Sequence, residues 1–254
     1  MEALMSDERS ILFGVPVDAL SLEETVSRCA GFIEERRFVQ HVVLNAGKVV
    51  MMDRDWALRE IVANCALVNA DGMSVVWAGR LLGVSFPERV AGIDLMMRLL
   101  ELCAEREWPV YVLGATPEVL AAFIETCETE FPRLRIAGSH DGYFEDDAPI
   151  VSDIRDSGAR LLVVGMPSPR KERFLWQHGG ELGPLFAMGV GGSLDVVAGR
   201  TKRAPLWMQR SGLEWAYRFA QEPKRMWRRY LVGNVRFVGI VIRELARRLT
   251  SRGA

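Results

Sequence analysis

Asp71 and Gly72 close a short apolar run, Ala66 to Ala70. An Asp just past a buried strand stands where it can take a proton from a substrate hydroxyl, as a general base. The same position suits an Asp that caps the following helix, and residue type alone leaves both roles open. Asn45 ends another strand-like run and could hold a substrate hydroxyl, although Asn also favours turns. Arg89, in Pro87-Glu88-Arg89-Val90-Ala91-Gly92-Ile93-Asp94, carries the planar fork that grips a diphosphate bidentately. A surface pair with Glu88 or Asp94 is the plain alternative. Ser168-Pro169-Arg170-Lys171-Glu172 opens a helix after a strand, so backbone N–H groups, the helix dipole and two cations converge as an anion site. Gly189-Val190-Gly191-Gly192-Ser193 is a second loop after a strand. It is not GxGxxG, and no Gly-Lys-Ser/Thr makes it a Walker loop. Two such loops on one strand edge point to a nucleotide-like diphosphate ligand.

Metal and redox chemistry find little purchase. His41, His140 and His178 are scattered without ligand spacing. Glu145-Asp146-Asp147 has the charge for a divalent ion, but such a run usually starts a helix or faces solvent. Cys29, Cys65, Cys103 and Cys127 form no CxxC or zinc pattern and read as reduced core thiols.

Alternating strands and helices must position these residues. Phe38 to Ala46 reads as a strand, followed by a helical stretch through Ala63. Ala66 to Ala70, Val110 to Leu113, Arg160 to Val164 and Leu185 to Val190 read as further strands. Gly92 to Arg106 is an amphipathic helix with Leu95, Met96, Leu99, Leu100 and Cys103 on one stripe. Thr116-Pro117-Glu118 starts another helix, running to about Glu130, by cap, first-turn Pro and early acid. Ser168-Pro169 is expected to start its helix by the same capping logic. Short buried strands alternating with helices give an α/β, Rossmann-like fold with a parallel sheet covered on both faces. Ligands of such sheets bind beyond the carboxyl ends of the strands, where all the residues above fall.

The chain has 254 residues, 49% apolar and 26% charged, a globular balance that excludes a disordered chain. No apolar run approaches the ~20 residues of a spanning helix. The acidic, polar start shows no secretory signal, so the cytoplasm is the expected compartment. The net charge of −1 hides a split. Residues 1–195 carry 18 basic and 30 acidic residues, net −12, whereas residues 196–254 carry 14 and 3, net +11. A core over 1–195 and a basic helical appendage over 196–254 are therefore expected, the latter with an anionic partner. The acidic body would repel a long polyanion, which argues against nucleic acid.

In the appendage, helical periodicity runs from Trp207 to Ala220, breaks at Pro223 and resumes to Leu249. Leu231, Val235, Val238, Ile242 and Leu245 recur at threes and fours. Arg228, Arg229, Arg236, Arg243, Arg247 and Arg248 fill other positions, and Trp207, Trp215 and Trp227 lie nearby. A basic amphipathic helix with aromatic neighbours is the pattern of an interfacial membrane element. A helix docked on the acidic body is the alternative.

The ordered series of motifs resembles the WecG/TagA/CpsF bacterial glycosyltransferases from about residue 11 to 249. Its segments are Asn45-Ala46, Ala70-Asp71-Gly72, Arg89 to Asp94, Gly142-Tyr143-Phe144 and Gly189 to Asp195. Ala198-Gly199-Arg200, Arg203-Ala204-Pro205, Gly212-Leu213-Glu214-Trp215 and Gln221 to Arg225 follow. The resemblance implies inverting transfer from a UDP-sugar to a polyprenyl-diphosphate-linked acceptor, on the cytoplasmic membrane face, for a cell-surface polysaccharide. It implies Asp71 as base, with Arg89 and the polar residue before Glu172 at the active site. Lys171 stands there in place of the family's usual Gln, and Val43 in place of its usual Thr.

On this reading Asp71 activates the acceptor hydroxyl and Asn45 orients sugar or acceptor. Arg89, Lys171 and the helix start at Ser168 stabilise the departing diphosphate. Gly114, Tyr143, Gly191 and Asp195 contact the nucleoside or diphosphate, and Arg210, Arg218 and Arg225 close over the lipid diphosphate. No cofactor or metal is expected. The donor sugar, exact acceptor, linkage and oligomeric state, a homo-oligomer included, are left open. A methyltransferase or reductase and a catalytically silent membrane scaffold are the rival readings; bound UDP rather than NAD or S-adenosylmethionine separates them.

Overall fold

A computed structural model describes residues 9–221, 223, 227 and 231–252. In chain order the described elements are β1 (Ser10–Leu12), β2 (Val15–Val17), α1 (Leu22–Glu34), β3 (Val39–Leu44), α2 (Ala46–Met52), α3 (Trp56–Ala63), β4 (Leu67–Ala70), α4 (Met73–Leu81) and α5 (Gly92–Arg106). Then come β5 (Val110–Leu113), α6 (Pro117–Glu130), β6 (Ile136–His140), α7 (Asp147–Asp156), β7 (Leu161–Val164), α8 (Arg170–His178), β8 (Phe186–Gly189) and α9 (Ser193–Val197). The basic segment forms α10 (Leu206–Arg210), α11 (Glu214–Gln221) and α12 (Gly233–Arg252).

Six parallel strands make one sheet in the order β4-β3-β8-β7-β5-β6, and β1 and β2 form a small antiparallel pair. Every residue of β3, β4, β5, β7 and β8 is buried, as a sheet covered on both faces requires. One face packs on α1, α5 and α6 through Cys29, Leu95, Leu99 and Phe123. The other meets α2 and α4 through Val49, Met52 and Val75, and α7 and α8 through Ile154 and Phe174. All four cysteines are buried and unpaired.

The strands end nearly flush, and that register builds the site. Leu44 pairs with Ala70, and Asp71 N–H donates to Leu44 O at 2.8 Å, so Asn45 and Asp71 leave the sheet side by side. Leu113 pairs with Val164, and Val164 with Gly189, which levels the loops after β5, β7 and β8.

Three local expectations change. The helical stretch through Ala63 is two helices, because Asp55 accepts from Leu58 N–H at 3.0 Å and caps a new start. Ser168 does not cap α8. Pro169 precedes that helix without a side-chain cap, and the Ser168 hydroxyl donates to Glu172 Oε1 at 2.9 Å. The stretch from Trp207 to Ala220 breaks after α10 at Gly212, whose φ of 72° suits glycine. A side chain there would also collide with the Trp77 ring, its Cβ 2.7 Å from the nearest carbon.

The last helix has two apolar faces. Phe237 is buried edge-on against Phe13, and Ile240, Val241 and Leu245 pack beside it. Arg243 pairs with Asp53 at 2.6 Å, and Arg248 donates to Leu82 O and Ile11 O. Leu231, just before the helix, and Val235, Val238, Ile242 and Leu249 lie exposed. Leu245 thus belongs to the docked side, and the remaining members of the expected stripe face outward.

Candidate active site

A cleft of about 740 Å³ opens beyond the carboxyl ends of the strands. Asn45, Asp71, Tyr143, Ser168, Lys171, Gly191, Asp195 and Arg218 all line it, drawn together from across the chain.

Asp71 is half-buried at the end of β4. It caps nothing: Gly72 precedes α4 without a side-chain cap. Its carboxylate has no hydrogen bond or ion pair among the described residues. Burial pushes its pKa up to about 6, Arg89 works against that rise, and Glu214 adds to it. An unpaired carboxylate with that proton affinity is chemically suited to accept a proton near neutral pH.

Asn45 does cap a helix. Its Oδ1 accepts from Lys48 N–H at 3.0 Å, which fixes the side chain at the cleft wall. Lys48 itself was not anticipated. It lies three residues after Asn45, in the first turn of α2, and its ammonium is buried on Glu172 at 2.6 Å. Lys48 and Lys171 outweigh the burial of Glu172 and hold that carboxyl down to about 2. A buried Lys–Glu pair with this geometry fixes the start of α8 against α2.

Lys171 joins the two loops that the sequence marks as anion sites. Its side chain is buried along Gly189, and a Cβ at Gly191 would lie 3.5 Å from its ammonium. Arg218 lies against Gly192, where a Cβ would be 2.8 Å from its Nη2. Cations therefore reach the loop after β8 from two sides. Arg170 is spent on structure: it donates to Gly142 O and Phe144 O, at 2.8 and 2.9 Å, and holds the loop that carries Tyr143.

Arg89 finds neither surface partner considered for it. Glu88 accepts from Leu22 N–H, and Asp94 receives both Nη atoms of Arg203 at 2.5 and 2.7 Å. Arg89 instead donates to Glu214 Oε2 at 2.8 Å, with only 12% of its side chain exposed. Glu214 and Arg203 line the cleft, although Arg89 does not. Both come from the basic segment, and only their place in the tail motifs hinted at them.

Gly114 stays out of the lining. Its φ of 126° and the backbone of Gly165, 2.7 Å from where a Cβ would be, make it a point of close strand-end packing. The lining residues are the next two, Ala115 and Thr116. Arg210 is exposed on α10 and lies outside the cleft, and Arg225 lies outside the described residues. Among the described residues no three His, Cys, Asp or Glu side chains converge as a metal site. In the acidic run, Asp146 caps α7 and Asp147 pairs with His178 at 3.0 Å.

The family model described as the glycosyl transferase WecG/TagA/CpsF family matches residues 10–251. The chain belongs to this family. A WecG/TagA/CpsF protein is a glycosyltransferase of cell-surface polysaccharide synthesis, so the cleft needs room for a sugar donor and an acceptor. No helix among the described residues is long and apolar enough to cross a membrane.

Proposed function

We propose that the protein transfers a sugar, with inversion, from a UDP-sugar to a polyprenyl-diphosphate-linked saccharide at the inner face of the cell membrane. The observation that carries this reading is Asp71, a carboxylate facing the cleft and unpaired among the described residues, with its proton affinity raised to about 6. Asp71 takes the proton of the acceptor hydroxyl as that oxygen attacks the anomeric carbon opposite UDP. Asn45, held by its cap to α2, orients the sugar or the acceptor. Negative charge develops on the departing diphosphate. Lys171, the backbone of the loop around Gly191, and Ser168 with the N-terminus of α8 just after it are the groups that stabilise it in this reading. Arg218 serves the same end from the appendage. Tyr143 at the rim and Asp195 at the start of α9 border the nucleoside end, and Gly114 shapes the strand ends beneath them.

Support for a lipid-linked acceptor comes from where the outward apolar stripe begins. Val232 and Arg236 line the cleft, while Leu231 and Val235 beside them are exposed. A helix lying on a membrane along this stripe would bring the cleft mouth to the lipid surface. In this reading residues 1–195 form the catalytic core and 196–254 the membrane-associating appendage. The test is a screen of UDP-sugars for UDP release with a short-chain lipid-diphosphate-sugar acceptor. UDP release that depends on the acceptor is expected. Absence of turnover with every UDP-sugar, or binding of S-adenosylmethionine or NAD in place of UDP, would overturn the proposal.

A further inference from the structure

Three cations act on Asp71 or are acted on by it, and each is committed to another carboxylate. Lys48 is held by Glu172 at 2.6 Å, Arg203 by Asp94 at 2.5 and 2.7 Å, and Arg89 by Glu214 at 2.8 Å. Asp71 receives none of them within ion-pairing distance among the described residues. The Arg89 pair differs from the Lys48 pair in origin. Lys48 and Glu172 both belong to the α/β core, whereas Glu214 is supplied by the basic segment, 125 residues from Arg89.

Val90 N–H donates to Ala70 O at 3.0 Å, which sets the chain at Arg89 next to the end of β4, and a guanidinium left unpaired there would turn to Asp71 and lower its basicity. Glu214 prevents this by taking the guanidinium first. We infer that Glu214 is a positioning residue: it holds Arg89 off Asp71, so that seating the basic segment leaves Asp71 free to accept a proton. The inference rests on the reading of Asp71 as the base. The charged groups that face Asp71 are Arg89 and Asp94 from the approach and start of α5, Lys48 from α2, and Glu214 and Arg203 from the appendage. Among them Glu214 and Asp94 favour the protonated form of Asp71, and Arg89 and Lys48 oppose it.

A consequence is that basicity at Asp71 depends on a segment that also carries the outward apolar stripe.

The experiment uses the full chain with 13C-labelled aspartate carboxyls. Asp71 is assigned by the signal lost in Asp71→Asn, and its titration is followed beside the pH profile of kcat/KM. In Glu214→Ala, Arg89 loses its acceptor and is free to turn to Asp71, whereas in Glu214→Gln the amide oxygen still accepts from Arg89 and only the negative charge is gone. The Asp71 midpoint should fall by about half a pH unit or more in Glu214→Ala, and by clearly less in Glu214→Gln. The acid limb of kcat/KM should fall with it, and Glu214→Asp should restore both. Arg89→Gln is the opposite perturbation and should raise the midpoint. A midpoint unchanged in folded Glu214→Ala, or one that falls equally in Glu214→Ala and Glu214→Gln, overturns the inference, as does an unchanged midpoint in Arg89→Gln. A midpoint that moves while the acid limb stays supports the positioning by Glu214 and instead removes Asp71 as the base.

Discussion

Asp71→Asn should make the protein more stable at neutral pH, and the size of the gain follows from the site. Burial raises the folded pKa of Asp71 to about 6, against 3.8 for an unperturbed Asp side chain. Each unit of difference is worth about 1.4 kcal/mol, so keeping Asp71 ionised costs the fold about 3 kcal/mol. The sign follows from proton counting. Between the unfolded and folded pKa values the folded chain binds more protons, so this contribution to stability is complete below about pH 4. It is lost as the pH rises through about 6. Asn carries no charge at any pH and escapes that loss. The two proteins should therefore unfold alike at pH 4 and differ by up to about 3 kcal/mol at pH 7.5. For a chain of this length that corresponds to a rise in Tm of about 6–12 °C. Urea titrations at pH 4, 5, 6 and 7.5, with equal m-values for the two proteins, measure the difference directly. A gain that grows across this range is expected. Equal stability at pH 7.5, or a less stable variant, would refute the assignment of Asp71 as a desolvated carboxylate without a partner among the described residues.

Other consequences can be tested in parallel. Lys171→Gln should retain more transfer activity than Lys171→Glu, which sets an anion against the loop at Gly191; equal rates in steady-state assays would place Lys171 away from the leaving group. Turnover should survive EDTA, and loss of activity restored by Mg²⁺ or Mn²⁺ would return attention to Glu145, Asp146 and Asp147. Val235→Asp with Ile242→Asp should abolish flotation with anionic vesicles without altering circular dichroism, because both side chains are exposed. Undiminished flotation would leave the outward stripe without a membrane role.

Much of the sheet and the position of Asp71 can be read from the sequence, because buried strands are short apolar runs that end in turn residues. The helix from Gly92 to Arg106 and the one capped by Thr116 are found residue for residue, since periodicity and caps are local signals. The partners of Arg89 and Lys48 are not legible. Glu214 and Glu172 lie 125 and 124 residues away, and only the folded chain chooses them over nearer acids. The last helix misleads for a related reason. Its apolar residues serve two faces, one docked on Phe13 and one outward, and a single stripe drawn through them mixes the two. Ser168 has the residue type of a cap, yet Pro169 takes the cap position and Glu172, a buried carboxylate that needs donors, claims the Ser168 hydroxyl.

The most direct test of the proposed chemistry is the transfer rate of Asp71→Asn, measured with UDP-sugar and lipid-diphosphate-sugar acceptor alongside calorimetric UDP binding. Loss of a general base should lower the rate about 10²–10⁴-fold while UDP binding stays close to that of the unaltered protein. A folded Asp71→Asn protein that turns over at the normal rate would contradict the central claim.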